Sequence, residues 1–181
     1  MKSIRINESL VLKEINESSA RAIFHAIDKN RNHLRKWLPF VDNTKRPEDT
    51  EQFIRWVRKS DRDLVFEIRE NNEIIGLIAL KDIDYFNCKT EIGYWLTKDH
   101  EGKGIITRSC EAILDLCFNE MGMNRVQIKA ATGNAKSLLV SERLGLKFEG
   151  IERAGEYLND RFADLMVFST LKDEWKGLKR S

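Results

Sequence analysis

The stretch Glu91-Ile-Gly-Tyr-Trp-Leu-Thr-Lys-Asp-His-Glu-Gly-Lys-Gly-Ile-Ile-Thr107 constrains the fold more than any other part of the chain. A β-branched and aromatic run, Thr90–Leu96, gives way to a polar loop, two glycines flank Lys103, and a helical pattern begins at once. Ile106, Cys110, Ile113, Cys117 and Met121, with Leu114 and Phe118 beside them, recur at helical spacing, so one face of this helix is an inner face. A strand that passes directly into an amphipathic helix points to an α/β architecture. It also leaves the first helical amides unbonded, and with the helix dipole behind them such amides form an anion site. Gly102 and Gly104 let the backbone approach a bulky phosphate without a Cβ in the way. A tight strand-to-helix turn that holds no ligand accounts for the same glycines. Other phosphate loops fit poorly. A dinucleotide fingerprint needs a third glycine where Thr107 stands, and in a Walker loop Ser or Thr would follow Lys103 instead of Gly104.

The flanking chain supports a mixed sheet. Leu10-Val11-Leu12 reads as a first strand, followed by a helix through Ala20, Ile23, Phe24 and Ile27 that Ser18 or Ser19 caps. Pro47 opens a second helix, with Glu48 and Asp49 in its first turn and Phe53, Ile54 and Val57 buried. Leu64–Arg69 and Glu73–Leu80 form a hairpin across Asn71-Asn72. After the central helix, which Gly122 ends, come a strand over Val126–Ala131, a helix over Asn134–Leu144 that Gly145 ends, and a late strand over 164–169. The order is antiparallel strands, then strand–helix–strand–helix–strand. No linker or repeat interrupts it, so residues 1–181 are expected to form one domain.

Composition narrows the function classes. The formal net charge is +2, from 31 basic and 29 acidic residues that interleave, which offers no field for nucleic acid or a membrane surface. The apolar run Ile74–Leu80 is far too short to span a bilayer, and Met1–Arg5 leads into no signal core, so a cytoplasmic protein is expected. The three cysteines, Cys88, Cys110 and Cys117, lack CxxC spacing, and His25, His33 and His100 lack metal-site pairing, so no metal is expected.

Four ordered blocks resemble the GNAT (Gcn5-related) N-acetyltransferases, in particular the RimJ/RimL branch that acetylates ribosomal-protein N-termini. Glu91-Ile-Gly-Tyr-Trp-Leu resembles the family's fourth strand, and residues 101–106 resemble its Arg/Gln-x-x-Gly-x-Gly/Ala phosphate loop. Asn134-Ala-Lys-Ser137 through Gly145-Leu146 resembles its Asn-x-x-Ser…Gly-Phe helix, and Glu156–Asp160 a segment of the RimL-like branch. Leu34-x-x-Trp37-Leu38 and Pro47-Glu48-Asp49 also look like that branch. Glu101 departs from the usual Arg or Gln, and Ile106 from Gly or Ala.

The resemblance implies an acyl-CoA N-acyltransferase fold, a mixed and largely antiparallel sheet flanked by helices, with acetyl-CoA as co-substrate. It implies diphosphate binding by the amides of Gly102, Lys103, Gly104, Ile105, Ile106 and Thr107, pantetheine along Tyr94, Trp95 and Leu96, and Asn134 as a side-chain partner. Catalysis would be direct attack of an amine on the thioester, with Glu156 as base and Glu91 as its alternative, an oxyanion donor near Trp95, and a strand irregularity at Gly93. Ser137 is the implied proton donor to the leaving thiolate, although most of the family places a tyrosine at position 141, which is Ser141 here. Trp37, Phe40 and Trp56 precede the sheet and read as core. The implied acceptor is a protein N-terminal α-amine, and a homodimer is a further expectation. Acetylation of a polyamine, amino acid or aminoglycoside, or acyl-CoA binding without catalysis, are the competing readings.

Overall fold

The computed structural model describes residues 2–177; Met1 and residues 178–181, the ends of the expected domain, lie outside them. In chain order the elements are β1 (Ser3–Arg5), β2 (Leu10–Glu14), α1 (Ala20–Lys29), α2 (Arg31–Leu34), α3 (Pro47–Lys59), β3 (Leu64–Glu70), β4 (Glu73–Asp84), β5 (Lys89–Leu96), α4 (Ile105–Asp115), β6 (Arg125–Ala131), α5 (Ala135–Arg143), β7 (Lys147–Leu158) and β8 (Arg161–Leu171). The strands form one sheet in the order β1-β2-β3-β4-β5-β6-β8-β7. Every pairing is antiparallel except β5 with β6. The expected mixed, largely antiparallel architecture is the one observed. Among the described residues, no helix is long and apolar enough to cross a membrane.

Helices cover both faces of the sheet. On one face, Ile113 of α4 and Cys117 of the π-helical turn Leu116–Glu120 that continues it pack with Phe66, Ile78, Ile92, Val126 and Phe168. On the other, Ile23 and Ile27 of α1 and Ile54 and Val57 of α3 pack with Val65, Leu77 and Trp95. The unbroken apolar run Ile74–Leu80 follows from this arrangement, because its residues are buried on alternating faces and neither face meets water. Asn71 and Asn72 close the β3–β4 hairpin with φ of 49° and 68°, the left-handed pair that a twisted two-residue turn demands.

Local details depart from expectation at several places, among them β7 (Lys147–Leu158), a strand before the expected late one. The strand at Leu10 is the second, since Ser3–Arg5 pairs outside it. The Asn16 side chain, not a serine hydroxyl, accepts from the Ser18 amide at the start of the first helical turn, and Ser19 makes no side-chain cap. Phe53 is exposed on α3, whereas Ile54 and Val57 are buried as expected. The expected irregularity at Gly93 is absent. β4 and β5 stay in register from Gly76↔Leu96 to Lys81↔Glu91, and a Cβ at Gly93 would meet the Lys81 side chain, with Cε 2.9 Å away. The glycine leaves room for a lysine lying across the strand.

Candidate functional site

The site grows out of the one parallel pair. β5 and β6 run in register from Lys89↔Arg125 to Ile92↔Ile128 and then separate. Beyond that point β5 keeps its bonds to β4, and β6 keeps its bonds to β8, so a gap opens between two otherwise intact strands. The β5 edge over Gly93–Leu96 has no strand beside it there, and its peptide groups can pair with an extended ligand. The side chains of Trp95 and Leu96 are buried in the two cores, and Tyr94 packs against one of them, which holds that edge still. The Tyr94 hydroxyl donates to the Ser137 carbonyl at 3.3 Å, tying β5 to the start of α5 across the gap. Burial drives the Tyr94 phenol well above its ordinary pKa, so it remains a neutral donor.

The gap leads into a cleft of about 880 Å³ whose lining includes Tyr94–Leu96, Glu101, Gly102, Gly104–Thr107, Asn134 and Ser137. Gly102 and Gly104 adopt φ of 76° and 70°, and Gly104 is the cap of α4. A Cβ at either position would meet nothing within 4 Å, so glycine is needed there for its left-handed backbone and not for lack of space. Among the described residues, the amides of 102–107 are taken by no backbone or side-chain acceptor; the first such bond is from the Arg108 amide to the Gly104 carbonyl. Unbonded donors at the start of an 11-residue helix are therefore carried by residues that line the cleft, Gly102 and Gly104–Thr107. The preceding loop is pinned: the Lys98 amide donates to Asn30 Oδ1 at 3.0 Å, and Thr97 Oγ1 lies 2.8 Å from His100 Nδ1.

Asn134 caps α5, its side chain accepting from the Ser137 amide. That bond gives it a structural task beside any contact with a ligand. Ser137 lines the cleft, whereas the Ser141 hydroxyl is fully buried without a partner and lies off it. Of the three early aromatics, only Trp37 reaches the cleft; Phe40 and Trp56 are exposed.

The two carboxylates singled out from the sequence lie close together in different environments. Glu91 is occupied: Lys81 Nζ is 2.6 Å from one oxygen, Gln127 Nε2 donates to the other at 3.1 Å, and Lys129 Nζ lies 3.9 Å away. Lys129 also pairs with Glu152 at 2.6 Å. Glu156 lines the cleft half-buried, and its carboxylate makes no hydrogen bond or ion pair within the described residues. Burial raises its pKa above the ordinary carboxylate value; Lys81 opposes the shift and Glu91 adds to it. A bulge puts it there. Glu152 faces Leu165 and Glu156 faces Ala163, so residues 153–155 oppose Asp164 alone, with Ala154 at φ 53° and its amide on Asp164 Oδ1 at 2.8 Å. Lys81, Gln127, Lys129 and the bulge carry no motif of their own, and only the register of four strands assembles them.

Residues 9–147 match a family described as acetyltransferase (GNAT) domain. The chain is 37% identical over 184 aligned residues to "Putative ribosomal N-acetyltransferase YdaF" of Bacillus subtilis (strain 168), covering 99% of this chain and 100% of that one. It is 29% identical to the ribosomal-protein-serine acetyltransferase of Escherichia coli (strain K12), over 94% of this chain and 97% of that protein. Among solved structures it superposes with a TM-score of 0.87 on the microcin C7 self-immunity acetyltransferase MccE in complex with acetyl-CoA and AMP, at 26% identity over 93% of this chain and 95% of that one.

Proposed function

The chain belongs to the acetyltransferase (GNAT) domain family, and on that premise we propose that residues 1–181 form one cytoplasmic N-acetyltransferase domain that moves the acetyl group of acetyl-CoA to the α-amine of a protein N-terminus. The observation that carries this reading is the row of unpartnered amides from 102 to 107, opening onto a cleft that also holds a half-buried, unpaired Glu156. The acetyl-CoA in the MccE complex supports the donor, and the names of the Bacillus and Escherichia relatives support the acceptor.

In this reading the diphosphate sits on the amides of Gly102–Thr107 and the pantetheine arm pairs with the free edge of Tyr94–Leu96, with Asn134 beside it. The acceptor amine loses a proton to Glu156 and attacks the thioester carbon. The oxyanion that forms is met by a strand amide near Trp95, and the C–S bond then breaks. The thiolate, conjugate base of a thiol with pKa about 8.5, takes a proton through Ser137, whose hydroxyl is reprotonated in the same step by the proton that the attacking nitrogen sheds as it becomes an amide. Glu156 suits the base role better than Glu91, because Glu156 lines the cleft with an unpaired carboxylate, whereas Glu91 is outside the lining and already engages Lys81 and Gln127. An α-amine of pKa about 8 gives up its proton more readily than a lysine amine near 10.4, which suits a carboxylate base of modestly raised pKa.

The test is a product panel. The protein is incubated with acetyl-CoA and, separately, N-terminal peptides of ribosomal proteins, polyamines, amino acids and aminoglycosides, and products are identified by mass spectrometry. Acetylated peptide α-amines are expected. Turnover confined to small amines would refute the acceptor, and coenzyme A binding without acetylation of any amine would refute the catalytic reading.

A further inference from the structure

The residue just before the amide row carries the wrong charge for an anion site. Glu101 precedes Gly102 directly, lines the same cleft, and its side chain is only 24% exposed. Each of its oxygens is held by a different element. His33 Nε2 of α2 lies 3.0 Å from Oε1, and Lys136 Nζ of α5 contacts Oε2. Both partners also line the cleft. One carboxylate thus joins a group from each wall of the cleft at the threshold of six unpartnered amides.

We propose that Glu101 is an internal competitor of the donor's diphosphate and sets how tightly coenzyme A is held. This rests on the reading of the 102–107 loop as the diphosphate site. Before the donor binds, Glu101 engages Lys136 and His33. An arriving diphosphate brings negative charge beside the carboxylate, and the same two groups are within reach of the cleft it enters. They transfer from Glu101 to the diphosphate, and the carboxylate turns to solvent, since like charges at short range repel. When product leaves, Glu101 takes both groups back, which lowers the cost of release. The role is one of tuning. Glu101 touches no reacting atom, and the cost it adds to donor binding appears as a faster exit of coenzyme A.

The experiment is calorimetric titration of coenzyme A into wild type, Glu101→Gln, Lys136→Met and the double variant, at low and physiological salt. Glutamine keeps the shape and can still accept from Lys136, so the fold is retained. The partly exposed Lys136–Glu101 ion pair, within the usual range for such pairs, corresponds to a gain of roughly twofold to fivefold in affinity for Glu101→Gln at low salt. The gain is expected to shrink as salt rises and to be largely lost in the Lys136→Met background. Stopped-flow displacement is expected to show slower release of coenzyme A from Glu101→Gln. Equal or weaker binding by Glu101→Gln would overturn the proposal, because Glu101 would then be a clamp that positions its partners. A wild-type titration that is flat on folded protein, with Glu101→Gln flat as well, would remove the assignment of the loop and the proposal with it.

Discussion

Glu156→Gln separates the chemistry of the site from its binding. The carboxylate is half-buried, makes no ion pair among the described residues, and sits on β7, whereas the amide row lies at the start of α4 across the gap. Replacing it by the amide removes a proton acceptor and leaves its volume almost unchanged. A positioned general base contributes about 10²–10⁴-fold, so kcat is expected to fall by that factor, or roughly 3–5 kcal/mol of barrier. Coenzyme A affinity is expected to stay within about twofold, because removing uniform donor binding is not what this change does. Wild-type kcat/KM should rise with pH through the raised Glu156 pKa, since only the carboxylate form accepts a proton, and that limb should vanish in the variant. Stability provides an independent check. A carboxyl whose folded pKa is raised binds its proton more tightly in the native state, so its charged form costs stability at pH values above the folded pKa. The cost disappears below the unfolded pKa. Glu156→Gln is therefore expected to be slightly more stable than wild type at neutral pH and equal to it in acid. Full turnover by Glu156→Gln, with the acidic limb intact, would refute the reasoning and return Glu91 to consideration.

Three further outcomes follow from the packing. A Cβ at Gly76 would sit 2.2 Å from the Trp95 carbonyl oxygen and 3.1 Å from Leu96 Cα, both backbone, so Gly76→Ala is expected to cost at least about 2 kcal/mol in urea unfolding. Gly93→Ala meets chiefly the movable end of Lys81 and should cost less than half as much; equal losses would contradict the register described here. Cys110 is fully buried with its pKa raised, and burial pushes the Cys117 thiol up to about 12, so a thiol reagent should label Cys88 alone in the native protein and all three cysteines after unfolding. Hydrogen bonds from Arg125 and Ser169 lower the Glu149 pKa from 4.5 to about 2, so the stability this group supplies is complete above the unfolded pKa and is lost as pH falls toward 2. Glu149→Gln should flatten the acid-unfolding curve over that window, and an unchanged curve would show the pair to be idle.

Much of this molecule is local in origin. The hairpin at Asn71-Asn72, the helix begun by Pro47, the inner stripe of the central helix and the glycines before it are each specified within a few residues, because turns, caps and amphipathic faces depend on neighbours in the chain. For the same reason the anion loop was legible: its donors are backbone amides, and two left-handed glycines at a strand-to-helix junction are sufficient to expose them. β1 escaped notice because a three-residue edge strand has too few side chains to show a period. β7 escaped because, as an edge strand exposed along nearly its whole length, it shows no apolar alternation.

What only the tertiary structure decided is which charges meet. Lys81, Glu91, Lys129 and Glu152 come from four strands, and nothing in the sequence around Lys81, Lys129 or Glu152 distinguishes them from solvated surface residues. The Arg153–Gly155 bulge, which carries Glu156 to the cleft, needs Asp164 on the opposite strand to hold it. Glu101 reads as a mere departure from a motif until α2 and α5 bring His33 and Lys136 to it. Local sequence determines where the backbone exposes donors; the long-range register of the sheet determines which side chains face them, and with that the ionisation of the site.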